Sequence, residues 1–291
     1  MLLDKNANGK IVYLTANISG DILYYKENNS SIDIQYVCNK GIDSIIDRDC
    51  FLKLSMRDHG ASFIITKLKN YRNGLIISLG NGISRRFEIL LFENGAFCSV
   101  DKVFKSLKAA SDIMNGNNEE RREILILNHL FDAKRTFDNI YKGRVSLAID
   151  ISENELAAME PGFSKIIIIC ILFMLSEIIM EGEIKISACD TEYGKMISFS
   201  VTRECTNYIK GIYDFCSEYP SLSAIAAFLL SVCNERGVEL IFTCHNGETS
   251  IASVFPSSDT REFSVYNRLT DDDLLRLYGI FAEIFTTVQD F

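Results

Sequence analysis

The sequence predicts an α+β protein in which two mixed units are joined by helices. Three observations carry that expectation. Runs of alternating or β-branched residues, punctuated by Asn-Gly turns, occur in both halves of the chain. The apolar spacing changes to threes and fours between them. Ile166–Met180, IIIICILFMLSEIIM, is apolar at every position except Ser176 and Glu177, as in a helix buried all round.

Composition narrows the class. A chain of 291 residues with 47% hydrophobic content suits two or three small globular domains. The net charge of -9, without basic blocks, argues against nucleic acid as a partner. Nine cysteines, none in CxxC spacing, point to neither a zinc site nor a redox motif. Reduced thiols in a cytoplasmic protein are expected, and MLLDKNANGK lacks the apolar core of a signal peptide. From Phe163 the greasy stretch reaches 18 residues only by including Ser164, Lys165 and Glu177. That falls short of the roughly 20 apolar residues of a spanning helix, so a buried helix and no membrane span are expected.

In chain order, Asn8-Gly9 precedes the strand IVYL, and YYKENNSSIDIQYV reads as a turn between extended runs. Short helical pieces fit Gly41 to Leu54. SFIITKL and GLIISLG flank an expected turn at Asn70 to Gly74. From Ile83 to Tyr141 the period reads as helical, with one helix ending at Met114 and a stop at Asn115-Gly116-Asn117-Asn118. A second helix is expected from Glu119, with a stripe of Ile124, Leu127, Leu130, Phe131, Phe137 and Ile140. Two helices joined by four polar residues make a hairpin, which cannot bury both stripes alone. Lys142-Gly143 ends it, and VSLAIDI is a strand. A loop through Glu160-Pro161-Gly162 leads to the apolar helix, and EIKISAC and KMISFSV form a hairpin about Tyr193-Gly194. A helix from Ser221 to Glu235 and the hairpin VELIFTC-HNGE-TSIASVFP follow. A last helix is expected at Thr270, whose hydroxyl can cap the Asp271-Asp272-Asp273 turn.

The order GKIVYLTANISGDILYY, short helices, RDHGASFIITKLKNYRNGLIISLG resembles a PAS sensor domain. From Val145 to Pro256 the order resembles the GHKL ATPase domain of sensor histidine kinases. SEIIM-EGEIKIS looks like the end of that family's first ATP-site helix entering a central strand. IAAFLLSVCNERGVELIF and GETSIASVFP look like its last helix, glycine turn and final hairpin. The resemblance implies a PAS-like mixed α/β domain over 1–92 and a dimerisation-like helical hairpin over 93–143. It further implies a GHKL-type α/β sandwich, a mixed sheet covered by helices, over 144–258, and a C-terminal helix over 259–291.

The resemblance also assigns site positions, and the chain departs from the family at most of them. The family's Mg²⁺-coordinating position on the first helix falls on Glu177, and a polar companion one turn earlier falls on Phe173. An adenine-recognising Asp in an Asp-x-Gly-x-Gly setting should follow the second strand, but VTRECTN, around Arg203, has neither Asp nor Gly. The phosphate-facing glycines fall near Ser223 and Ile225. The family's phosphoacceptor His falls near Cys98, with Ser99 and Val103 at its companions, and no His occurs between Gly60 and Asn128. His59 and His245 sit near turns, while His129, with Asp132 three residues on, is a relocated acceptor only under an alternative reading.

The expectation is a cytoplasmic, catalytically degenerate histidine-kinase-like regulatory protein without catalytic residues, metal or other cofactor. It would act as a homodimer through residues 93–143, with a response regulator or kinase as partner. The alternative is an active, divergent kinase or phosphotransferase that uses His129 as acceptor and Glu177 at Mg-ATP.

Overall fold

A computed structural model describes residues 11–27, 40–56, 60–68, 71–79, 85–93, 105–110, 112–113, 121–141, 143–203, 205, 209, 211–219, 222–256 and 270–289. Strands β1 (Ile11–Asn17), β2 (Ile22–Glu27), β3 (Gly60–Ile65), β4 (Tyr71–Leu79) and β5 (Arg86–Glu93) form one antiparallel sheet in the order β2-β1-β5-β4-β3. Alternation places Val12, Leu14 and Ala16 of β1 and Phe87, Ile89 and Leu91 of β5 on one face. A 3-10 turn, Ile42–Ser44, and helix α1, Arg48–Ser55, cover that face with Ile42, Ile45, Ile46 and Phe51. Gly20 makes the join possible. It adopts φ 87°, and a Cβ there would lie 2.5 Å from Cγ2 of Ile42.

Two expectations change here. The β3–β4 pairing matches Ile65 with Asn73, so Tyr71 to Gly74 belong to the strand and not to the turn. Arg86–Glu93, read as part of a helical stretch, is the central strand β5, between β1 and β4. Its two faces are both covered, Phe87, Ile89 and Leu91 by the first unit's helices and Glu88 and Leu90 on the side of the second unit. A strand buried on both faces loses the polar alternation that would distinguish it from a helix.

The second unit is a mixed sheet of β7 (Val145–Asp150), β9 (Gly182–Thr191), β10 (Gly194–Thr202), β11 (Glu239–His245) and β12 (Glu248–Pro256), ordered β11-β12-β10-β9-β7. Only β7 and β9 run parallel; the other neighbours are antiparallel. Asn246 (φ 52°) and Gly247 (φ 76°) close the β11–β12 hairpin, as Asn-Gly was expected to. Helices α2 (Ile126–Tyr141), α3 (Pro161–Ile179), α4 (Ile212–Glu218), α5 (Ser223–Glu235) and α6 (Asp271–Gln289) complete the unit. Ile184, Ile186, Ile197, Phe199 and Val201 turn toward the helical core while Lys185, Ser187 and Cys189 face outward. The α+β class is found as expected, and so is the mixed sheet covered by helices.

The helix expected from Glu119 begins instead at Ile126. Residues Arg122–Leu125 form β6, paired with β8 (Leu156–Met159). The buried stripe of α2, Ile126, Leu130, Ala133 and Phe137, joins the core shared with α3, and Lys165 of α3 bonds Asp132 of α2 at 2.7 Å. At the C-terminus the expected cap forms: Thr270 Oγ1 accepts the Asp273 N–H at 3.2 Å, and Asp273 Oδ2 accepts the Thr270 N–H at 3.1 Å.

Candidate functional site

Helix α3 is the centre of the molecule. It packs on β9 and β10, against α2, against α5 and against α6. Those five neighbours account for its sequence, since a helix buried on every side has no use for a polar face. By length and composition it is the one helix among the described residues that could cross a membrane, and here it lies inside the protein. Ser176 is satisfied within the helix, its Oγ donating to the Leu172 carbonyl at 2.8 Å. Phe173 is fully buried, and Glu177, the helix's only carboxylate, is half-buried one turn on.

The other family positions lie around this helix. Arg203 leaves β10 with its side chain exposed, and its N–H donates to the Gly247 carbonyl at 2.9 Å. The backbone at Arg203 is therefore tied to the β11–β12 turn. Phe215 of α4 stacks on Tyr219 at 5.2 Å and on Phe242 at 4.8 Å between centroids. Ser223, at the start of α5, is buried and donates its Oγ to the Cys216 carbonyl at 3.4 Å. Ile225 is completely buried. On the outer side, Phe281 of α6 approaches Phe228 of α5 at 6.1 Å, with Leu277 and Ile284 also in the core.

The family's Mg-ATP can be tested against these side chains. Phe173 and Ile225 offer no polar atom, Ser223 is committed to a backbone carbonyl, and all three have no exposed surface. Glu177 alone provides an oxygen of the kind Mg²⁺ takes.

The first unit also covers this region. Strands β3 and β4 pack across α5, and β1 meets α4, where Tyr13 and Tyr213 lie 5.5 Å apart between ring centroids. On the same face of β5, Glu88 is buried beside Tyr13, whose hydroxyl donates to it, and Arg86 stands 3.3 Å away. Burial holds the Glu88 carboxyl above its usual range, and it also raises the Tyr13 hydroxyl, reinforced by the Glu88 charge.

The alternative acceptor, His129, lies on α2 and is 7% exposed. Its Nε2 faces the Pro161 carbonyl at 3.1 Å, which it satisfies as an N–H donor. Burial, then the neighbouring Lys165, lowers its pKa and favours the neutral ring. His245 is exposed at the end of β11. His59, Cys98, Ser99 and Val103 lie outside the described residues.

Two features gave no signal in the sequence. Glu160, just ahead of α3, bonds Arg236 Nε at 2.8 Å and lies 3.7 Å from Arg121 Nε. Arg236 also stacks over Phe163 at 4.5 Å. Cys205 and Cys244 are joined as a disulfide across 39 residues, which corrects the expectation of reduced thiols throughout.

The sequence matches no protein-family model and no curated protein. Solved structures are similar in fold. The nucleotide-free catalytic domain of histidine kinase ThkA is 13% identical over 47% of this chain and 95% of that one, with a TM-score of 0.39. Histidine kinase AdeS of Acinetobacter baumannii is 8% identical over 55% of this chain and 77% of that one, TM-score 0.39. The blue-light-activated histidine kinase of Erythrobacter litoralis is 12% identical over 86% of this chain and all of that one, at 100%, TM-score 0.34. Likeness at these TM-scores and identities carries no argument about activity, which rests on this chain's own residues.

Proposed function

We propose that the chain is a catalytically degenerate, histidine-kinase-like regulatory protein of bacterial signal transduction, acting in the cytoplasm through protein contacts. The observation that carries this reading is the filling of the nucleotide position by Phe173, Ser223 and Ile225, all without exposed surface. A nucleotide domain must keep a polar cleft open to solvent; here the same positions are core. The strand order β2-β1-β5-β4-β3, with helices between β2 and β3, supports a PAS-like sensor reading of the first unit. Its packing on α4 and α5 supplies a direct route by which a change in that unit would reach the second. The burial of His129 weighs against a relocated phosphoacceptor, because phosphate has no approach to an Nε2 that faces a backbone carbonyl.

Thermal denaturation with and without Mg-ATP tests the reading. A ligand at 100 times its Kd stabilises by about 2.7 kcal/mol, which in a unit of this size raises Tm by roughly 5–10 °C. The expected shift is none, and a rise of several degrees at millimolar nucleotide would overturn the proposal.

Homodimerisation through residues 93–143 belongs to the same reading, with a response regulator or kinase as the further partner. Its original reason is met within the chain on α2, whose main stripe lies against α3. The surface left to a dimer on that helix carries Phe131, which is 52% exposed. Light scattering is expected to give twice the 32.9 kDa chain mass, and Phe131→Glu to return it to one. A monomer at every concentration refutes the dimer.

A further inference from the structure

We infer that Cys205 and Cys244 form a reversible thiol–disulfide switch that ties Cys205, ahead of α4, to the β11–β12 hairpin, a role independent of whether nucleotide binds. The position is built around the two sulfurs. Thr249, completely buried, has its hydroxyl 3.0 Å from Sγ of Cys205 and 3.5 Å from Sγ of Cys244. The Tyr219 hydroxyl lies 3.4 Å from Sγ of Cys205. Both hydroxyls stand within donating distance of Cys205 Sγ, and Thr249 Oγ1 also reaches the Arg203 carbonyl at 3.4 Å. A hydroxyl that donates to a sulfur favours its thiolate, the form that reacts.

Three buried cysteines show what this arrangement is not, while Cys189 is exposed and Cys50 half-buried, without a disulfide partner among the described residues. Cys170 and Cys233 are fully buried on α3 and α5, and burial raises both thiols well above the usual range. Cys216 is pushed up to about 12 by burial. Such thiols are packing residues and inert. Cys205 is half-buried and within reach of solvent oxidants, while Cys244 waits beside it at the end of β11.

The bond falls at a mechanically useful place. Arg203 is tied to Gly247, and the Cys244 N–H donates to the Ile209 carbonyl at 3.3 Å, so the disulfide completes a set of links from this segment to the β11–β12 hairpin. Beyond it comes α4, which touches both units through Tyr213 on Tyr13 and Phe215 on Phe242. Reduced, α4 keeps its noncovalent packing on both units, including the Ser223 hydroxyl on its Cys216 carbonyl; oxidised, Cys205 just ahead of it is also fixed covalently to the sheet.

The oxidant is a hydroperoxide. The Cys205 thiolate attacks one peroxide oxygen of H₂O₂, the O–O bond breaks, and hydroxide takes up the released thiol proton as water, leaving a sulfenic acid. The Cys244 thiol then attacks that sulfur, forming the S–S bond and expelling a second water. Two thiols are oxidised by two electrons, and one peroxide is reduced to two waters. A dithiol reverses the bond by exchange.

The test uses the full chain, reduced, then exposed to H₂O₂, blocked with an alkylating agent and digested with trypsin. The expected product is peptide 204–210 joined to peptide 237–261, each carrying one of the two cysteines. The free thiol count falls by two from nine, and a dithiol restores it. Amide exchange over α4 is expected to be on the order of tenfold faster in the reduced state, with β9 unchanged. Thr249→Val should slow the joining by about tenfold while leaving the fold intact, since it keeps shape and removes the donor to sulfur. A linked pair that resists the dithiol, a pair that never forms with peroxide, or equal α4 exchange in both states overturns the inference.

Discussion

Phe173→Asn, which puts back the kind of polar side chain that the ATP-site helix of histidine kinases carries, is expected to cripple the fold and to confer no nucleotide binding. Phe173 has no exposed surface in the middle of α3, among Ile169, Cys170, Leu172 and Met174, which are equally buried. Removing a buried aromatic ring costs about 3–5 kcal/mol through lost contact and the cavity left behind. The new amide adds about 1–3 kcal/mol, because its donors and acceptor have no partners in that layer. Against a typical total of about 5–15 kcal/mol, the sum is enough to leave the second unit marginal. Thermal denaturation should show a fall in Tm on the order of 10 °C or more, or loss of soluble protein. Phe173→Leu keeps most of the volume and no polar atom, and is expected to cost about 1.5 kcal/mol or less. The pair separates the two effects. If the asparagine variant is as stable as the leucine variant, then water or an open cleft reaches position 173, and the filled-site reading fails.

That contrast also shows which parts of the molecule were legible before its structure. Ile166–Met180 reads as a helix buried on all sides, and α3 is one, because nothing in its surroundings calls for a polar face. The Asn246-Gly247 hairpin and the Thr270 cap were readable from local chemistry alone, since a left-handed turn and a capping hydroxyl need no distant partner. Segments whose state depends on distant neighbours were not. Arg86–Glu93 looks helical by spacing, yet pairing with β1 and β4 and cover on both faces make it the central strand. Arg122–Leu125 follows a good helical stripe until β8 offers it a ladder. The site divides the same way. Phe173 and Ile225 announce burial by type, whereas the Cys205–Cys244 pair is separated by 39 residues in a chain with an odd number of cysteines. Glu160 and Arg236 look like two ordinary surface charges until α3 and α5 bring them together.

Arg236→Met is therefore expected to be the most damaging change to a charged residue among the described ones, at about 3 kcal/mol. The Arg236 and Glu160 side chains are 8% and 9% exposed, and Nε meets Oε2 at 2.8 Å. The pair joins the start of α3 to the end of α5, the two helices that carry Phe173, Glu177, Ser223 and Ile225. Methionine keeps much of the packing over Phe163 but leaves the Glu160 carboxylate without its main partner. Breaking one side of a buried pair usually costs about 3–5 kcal/mol, the penalty of a buried charge left alone. Arg121, 3.7 Å away and 28% exposed, still offers a second guanidinium, which places the loss at the lower end of that range. Glu160→Gln in the Arg236→Met background should recover about half of it, because the buried charge is gone and one amide hydrogen bond to Arg121 is still within reach. Urea unfolding of the wild type, both single variants and the double variant measures the coupling directly. Because the double variant loses only about half of what Arg236→Met loses, the expected coupling exceeds about 1.5 kcal/mol by whatever Glu160→Gln costs alone. Additive losses would mean that water, and not Arg236, compensates Glu160, and that the two helices are joined by their apolar contacts alone.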